Sequence, residues 1–284
     1  MIGFNYIASP GRLGNQMFKY AALRGIANNI STDFLIPPSY KKLENYPLMF
    51  KIAIKFFIPK NKQNHLLFEY FEMSSIKKKN IGYIETENII EETQFNFDEN
   101  IFHTRLNNFN LQGYFQTYKY FENVETLIKN DFKFKKNTNN KCSEIISRFD
   151  NPTSIHIRRG DYLTTNTHNP LEQNYYEKGI EEISQKSDLI IFTDDVEWCK
   201  NNSFFKKKNI YFAHEFTKSI DILDLCLMTK CKNHIIANSV FSWWGAYLSH
   251  QEKVIAPKYW FKNTKNSNLN TEDLIPNSWI QIEN

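Results

Sequence analysis

Three features are scarce in this 284-residue sequence, and each absence removes a class of function. The four cysteines, at 142, 199, 226 and 231, form no Cys-x-x-Cys pair. Neither a zinc cluster nor a disulfide framework is expected, and a reducing cytoplasm is the simpler setting. Acidic metal signatures are missing too: there is no Asp-x-Asp, and the seven histidines carry no ligand spacing. No apolar run approaches the ~18 residues of a membrane span. The opening segment MIGFNYIASPGRLGNQ has no basic stretch ahead of its short apolar run, so neither a signal peptide nor a membrane anchor is expected. Net charge is only +4, and the lysine runs Lys77–Lys79 and Lys206–Lys208 lie far apart, which reads as solvated surface and argues against a nucleic-acid partner.

What is present is a hydrophobic content of 41%, enough for one large core or two modest ones. After residue 150 apolar runs of strand length (TSIHIRR, LIIFTDD, NIYFAH, HIIANS, KVIAP) alternate with helical segments (NYYEKGIEEISQKS, DILDLCLMTKC, VFSWWGAYLSH). Continuous apolar strands separated by helices predict a parallel sheet covered on both faces. The first half opens alike, with a strand at FNYIAS, the loop PGRLGNQ, a helix from about Asn15 to Asn29 and a strand at TDFLIP. The segment NFNLQGYFQTYKYF reads as a strand turning at Gly113 into a helix. Residues 40–108 give little pattern, and the polar stretch 133–142 reads as a linker. The expected organisation is α/β, with Rossmann-like domains at 1–150 and 151–284 and no internal repeat.

In open α/β sheets ligands sit beyond the carboxyl ends of the strands, so those ends carry the chemistry. TSIHI ends in Arg158, Arg159, Gly160 and Asp161; LIIF in Thr193, Asp194 and Asp195; HIIA in Asn238 and Ser239. Guanidiniums stay charged and grip phosphate oxygens in pairs; alternatively the two arginines bridge Asp161 and Asp195 structurally. Ser239 and Ser242 open a helix, where free N–H groups favour an anion, or Ser239 is an ordinary cap with Trp243 and Trp244 in the core. One carboxylate of Asp194 and Asp195 can accept two guanine N–H donors, or it caps the following helix. Neighbours on an extended segment point to opposite sides, so only one should face the crevice. His156, inside a strand, reads as a candidate site residue or as a satisfied core histidine.

Together the segments GRLGNQMFKYA, GYFQTYKYF, HIRRGDY, FTDD and NSVFSWWGAYL resemble, in order and from residue 11 to about 260, the motifs of glycosyltransferase family 11, the α-1,2-fucosyltransferases of bacteria and animals. Val240 stands where the family usually has Ser, and 40–95 shows no family pattern. The resemblance implies a GT-B-like fold, two Rossmann-like domains facing across a cleft. It also implies an inverting transfer of L-fucose from GDP-β-L-fucose to the 2-OH of a terminal galactose, with neither cofactor nor catalytic metal. Arg158 and Asp161 are the expected catalytic residues, Asp161 orienting or deprotonating the acceptor hydroxyl. Asn15, His156, Arg158, Arg159, Asp194, Asp195, Asn238, Ser239 and Ser242 are expected to bind GDP-fucose. The expected partners are that donor and a galactose-terminated oligosaccharide. Animal members carry a membrane anchor; this chain resembles the soluble bacterial form, cytoplasmic with at most peripheral contact at the inner face of the membrane. Rival readings are a fucosyltransferase of another linkage, such as α-1,6, a non-catalytic GDP-sugar-binding module and a nucleic-acid-binding protein.

Overall fold

The computed structural model describes residues 1–39, 65–183, 186–206, 209–262 and 269–284. They fall into two compact units: the described residues of Met1–Phe134 with Asn268–Leu274, and those of Lys135–Ser267 with Ile275–Asn284. Residues 40–64 of the patternless stretch 40–95, Lys207 and Lys208 of the run Lys206–Lys208, and Ser184 and Gln185 of NYYEKGIEEISQKS lie outside the described residues.

In the first unit, strands β1 (Ile2–Gly3), β2 (Phe34–Leu35), β3 (Ile89–Glu91) and β4 (Phe109–Gln112) form a parallel sheet in the order β2-β1-β4-β3. Helix α1 (Leu13–Asn29) links β1 to β2 and is buried almost all round, as its Ala, Leu and Met content suits. A short helix α2 (Glu125–Asp131) ends on buried Asp131, whose Oδ2 accepts from Tyr20 Oη of α1 at 2.6 Å.

The strand expected at FNYIAS is corrected: β1 stops at Gly3, and the chain then turns. Phe4 and Ile7 are buried as a strand's would be, but Asn5 takes over the pairing with its side chain. Its Nδ2 donates to Ile84 O at 2.9 Å and its Oδ1 accepts from Ile84 N at 3.0 Å, a local substitute that ends the ladder.

The second unit carries β5 (Thr153–Ile157), β6 (Leu189–Thr193), β7 (Ile210–Phe212), β8 (Asn233–Ile235), β9 (Lys253–Pro257) and β10 (Ile280–Ile282). They form a parallel sheet in the order β10-β9-β8-β5-β6-β7. Counted within the unit and read from the other edge this is 3-2-1-4-5-6, the doubly wound Rossmann order, whose strand order switches between β5 and β8.

Helices α3 (Lys136–Ile146), α4 (Gln173–Glu182), α5 (Val196–Asn201), α6 (Asp221–Met228) and α7 (Val240–Tyr247) belong to this unit. Helix α3 replaces most of the expected linker, and the boundary lies at 134/135 rather than 150/151. Its Asn and Lys faces water, while Cys142 and Ile145 are buried and Cys142 Sγ reaches Leu223 O of α6 at 3.5 Å. In the core under β5, β6 and β8, Ile155, Ile157, Ile191 and Ile235 meet Tyr175 and Tyr176 of α4. No helix among the described residues is long and apolar enough to cross a membrane.

Candidate active site

Topology places the candidate site of the second unit where β5 and β8 part, because the loops leaving their carboxyl ends diverge there and open a crevice. The β5 loop supplies Arg158 to Asp161; the β8 end supplies Asn238, Ser239 and the start of α7. Adjacent β6, in register with β5 at Ile157 and Thr193, delivers Asp194 and Asp195 to the same edge.

The two arginines are held by three carboxylates. Arg158 Nη2 meets Asp161 Oδ1 at 2.6 Å, and Nη1 meets Asp194 Oδ2 at 2.8 Å. Arg159 Nε meets Asp195 Oδ2 at 3.1 Å, while its backbone N–H donates to Asp194 Oδ1 at 2.9 Å. The arginines are splayed apart by aromatic neighbours: the Arg158 guanidinium lies 5.6 Å from the Tyr162 ring and that of Arg159 lies 4.0 Å from the Trp198 ring. Gly160 allows this crowding, since a Cβ there would come within 2.7 Å of Asp194 Oδ2.

Alternation along an extended segment led to the expectation that only one of Asp194 and Asp195 faces the crevice; both engage the arginines. The strand ends at Thr193, and the chain turns at once to start α5, so strand alternation no longer applies. Asp195 caps that helix through Oδ1, which accepts from Trp198 N at 3.1 Å. Each carboxylate therefore already takes two donors within the unit.

At the other lip Ser239 caps α7, its Oγ accepting from Phe241 N at 3.4 Å. Ser242 Oγ is 2.8 Å from His156 Nδ1 and fastens β5 to α7. Trp243 and Trp244 are fully buried in the core, as the plainer reading of NSVFSWWG had it. Asn238 is buried; its Nδ2 donates to Asn169 O at 3.1 Å and Trp260 O at 3.0 Å, and among the described residues its Oδ1 has no partner. Tyr162 Oη donates to Asn238 O at 2.9 Å, tying the two lips together. Burial pushes this phenol up to about 12. Neither Tyr162 nor Trp198 was singled out from the sequence, although Tyr162 ends HIRRGDY; an aromatic beside an arginine pair is the signal that could have found it.

Asn15 lies in the first unit, at the start of α1, where its Oδ1 accepts from Gln116 Nε2 at 2.6 Å. The nine other expected residues, Asp161 included, gather at the strand ends of the second unit.

His156 is held down to about 3, first by burial and then by the Arg158 charge, and His234, buried between Ser154 and Ser249, is held down to about 3 by burial. Between about 3 and the ordinary 6.5 the unfolded chain binds these protons and the folded chain does not, so stability is lost as pH falls below 6.5. Partly buried Glu92, raised from 4.5 to about 7, and Asp224, raised from 3.8 to about 6, act in the opposite sense with smaller displacements. The melting temperature is accordingly expected to fall as pH drops from 6.5 to 4, with His234→Gln flattening the slope. A constant or rising Tm over that range would contradict these assignments.

The second unit thus presents two fixed cations, a buried amide and a capped helix start at a Rossmann switch point, an arrangement for a nucleoside diphosphate. The known proteins that the chain resembles are glycosyltransferases. The chain is 30% identical to the O-antigen biosynthesis glycosyltransferase WbnK of Escherichia coli over 98% of its own length and 100% of that protein's. It is also 30% identical to an α-1,2-colitosyltransferase of Escherichia coli, covering 96% of this chain and 97% of the relative. The crystal structure of fucosyltransferase NodZ from Bradyrhizobium matches with a TM-score of 0.53 over 87% of this chain and 93% of that one; at 11% identity the likeness is one of fold, and the expected GT-B class of paired α/β units stands. The family model described as glycosyl transferase family 11 matches residues 1–283, and the chain belongs to that family of glycosyltransferases.

Proposed function

We propose that the chain transfers L-fucose from GDP-β-L-fucose to O2 of a terminal galactose in a surface glycan, giving an α-1,2 linkage. The observation that carries this reading is the pair Arg158 and Arg159 at the β5/β8 switch point, opposite the capped start of α7, in a family 11 chain. The α-1,2 linkage named for the colitosyltransferase and the O-antigen role named for WbnK support the linkage and the glycan class.

The acceptor oxygen attacks fucose C1 from the face opposite the diphosphate, the C1–O bond to phosphate breaks, and GDP leaves with the bonding pair. Configuration inverts from β to α, and C1 passes through an oxocarbenium-like state. Negative charge then grows on the diphosphate, where Arg158, Arg159 and the free N–H groups opening α7 neutralise it without a metal ion. Because three carboxylates already hold the two guanidiniums, each arginine is oriented before the donor arrives. Asp161 takes the acceptor proton or orients the hydroxyl that carries it, and the unpartnered Oδ1 of Asn238 accepts from a donor hydroxyl.

A second donor is favoured by one specific relative: colitose is fucose without the 3-hydroxyl, and a colitosyltransferase is as similar as WbnK. The decisive experiment measures GDP release with GDP-fucose and GDP-colitose against lactose, N-acetyllactosamine and methyl β-galactoside, with and without EDTA, and assigns the linkage by NMR. Transfer of fucose to galactose O2 as an α linkage, unaffected by EDTA, is expected. Preference for GDP-colitose would move the donor to the second reading. An α-1,6 or β linkage would refute the reaction, and no release above the acceptor-free rate would favour a binding module.

A further inference from the structure

The first unit contains a buried lysine and a partly buried glutamate that no motif announces. Lys19 of α1 is fully buried, and its Nζ donates to Pro10 O at 2.8 Å and to Tyr6 O at 3.4 Å, gripping the loop between β1 and α1 from beneath. Glu92, the residue after β3, does the same for the loop leaving β4. Its Oε2 accepts from Tyr114 N at 2.6 Å and its Oε1 from Phe115 N at 2.8 Å. That turn needs such a clamp: Gly113 has φ +148° and Phe115 φ +52°, and a non-glycine residue in the left-handed region costs of the order of 1 kcal/mol or more unless its surroundings hold it there. Each charge supports the other. Burial lowers Lys19 to about 8 and raises Glu92 to about 7, and the mutual attraction opposes both shifts.

The two clamped loops meet in Gln116 Nε2 donating to Asn15 Oδ1 at 2.6 Å. They leave the carboxyl ends of β1 and β4, adjacent strands of this parallel sheet, the end at which open α/β sheets bind their ligands. Its chemistry differs. Amides meet here where the second unit places two guanidiniums, and the charge of buried Lys19 is balanced by that of partly buried Glu92. Such groups suit a neutral, hydroxyl-rich ligand, whose hydroxyls both give and take hydrogen bonds with amides.

We propose that Glu92 is a positioning residue for the acceptor sugar: it folds the Gly113–Phe115 turn and so sets Gln116 against Asn15, where the acceptor hydroxyls bind, which moves Asn15 from the donor expected of it to the acceptor. This rests on the fucosyltransferase reading above.

The test is the partition of the donor between acceptor and water, measured as fucosylated product against free fucose at fixed galactoside concentration. In Glu92→Gln the carboxamide keeps one acceptor oxygen and turns an NH₂ toward the other backbone N–H. Its transfer-to-hydrolysis ratio is expected to fall at least 10-fold, through a higher acceptor KM. Gln116→Ala is expected to lower the ratio similarly, and the double variant no further than either single one, because the first residue acts through the second. Glu92→Asp, which retains the carboxylate, should recover part of the ratio. A purely structural Glu92 would lower transfer and hydrolysis together and leave the ratio unmoved; that result, or additive effects in the double variant, overturns the proposal. Wild-type transfer to a sugar other than galactose would refute the acceptor assigned above while leaving this test to be run on that sugar. Hydrolysis without transfer to any glycan would overturn both.

Discussion

Arg158→Lys is expected to lower kcat about 10²- to 10³-fold, the usual cost of removing one preorganised donor from a developing anion, with a smaller change in the KM for donor. The substitution keeps the charge and loses the fork. Arg158 uses Nη2 on Asp161 and Nη1 on Asp194, a planar two-point anchorage that aims the guanidinium. Lysine has one compact ammonium on a flexible stem and cannot satisfy both carboxylates while presenting a fixed face to phosphate. The difference matters most when charge has moved onto the departing diphosphate, so the loss falls on kcat. Stability should change little: the pairs are partly exposed, and such ion pairs are worth about 0–1 kcal/mol each. Circular dichroism and a melting curve therefore separate the two accounts. A folded Arg158→Lys enzyme with near-normal kcat, or wild-type activity abolished by EDTA and restored by Mn²⁺, would remove the arginine mechanism. Asp161→Asn, assayed beside it, bears on the proton: a general base is worth about 10²-fold or more, and kcat above a tenth of wild type would leave Asp161 as a partner of Arg158 only.

What could be read from sequence follows burial. Strands β5, β6 and β9 are apolar runs closed by polar residues because both faces of the sheet are covered, and such runs stand out in any sequence. Strands β3 and β10 do not: Ile89 is 55% exposed and Ile280 is 37% exposed, so these edge strands lack the apolar signal, and register with a neighbour alone defines them. The Asn- and Lys-rich helix α3 read as a linker for a related reason. It buries little more than Cys142 and Ile145, and two residues cannot outweigh the polar composition around them. In the candidate site every strand-end residue was legible, since position at the carboxyl end depends only on where an apolar run stops. Which carboxylate serves which arginine was not, because that depends on the register of β5 against β6 and on the turn into α5. Glu92 was illegible outright. It lies in the segment without pattern, and its significance comes from a turn some twenty residues downstream that only the fold brings beneath it.

Asp194→Ala is expected to lower kcat/KM for donor by about 10²-fold and to weaken GDP and inosine diphosphate to the same degree. Asp194 is the hinge of the arginine arrangement: one oxygen takes Arg158 Nη1 at 2.8 Å and the other the backbone N–H of Arg159 at 2.9 Å, joining the end of β6 to the turn after β5. Removing it frees Arg158 from half of its anchorage and leaves a backbone donor without its acceptor. Losing hydrogen bonds to a charged group costs about 1–3 kcal/mol, which is roughly 5- to 150-fold in diphosphate affinity. The further loss in kcat comes from an Arg158 that must be oriented after the donor binds instead of before. The nucleobase comparison decides between this role and the guanine contact that the sequence suggested for Asp194 or Asp195. Inosine lacks the exocyclic amine of guanine and keeps N1–H, so a carboxylate that reads guanine makes two bonds to GDP and one to inosine diphosphate. If Asp194 reads the base, the wild type prefers GDP and the variant loses that preference. If it holds the arginines, both ligands weaken in parallel and the ratio of their Kd values stays at the wild-type figure. Asp195→Ala should behave in the same way with a smaller loss, because it releases only Arg159 Nε and the cap of α5. Calorimetric titration of the three proteins with both diphosphates measures the ratios directly, and a ratio that collapses toward unity in either variant would assign guanine reading to that residue and refute the holding role as its main one.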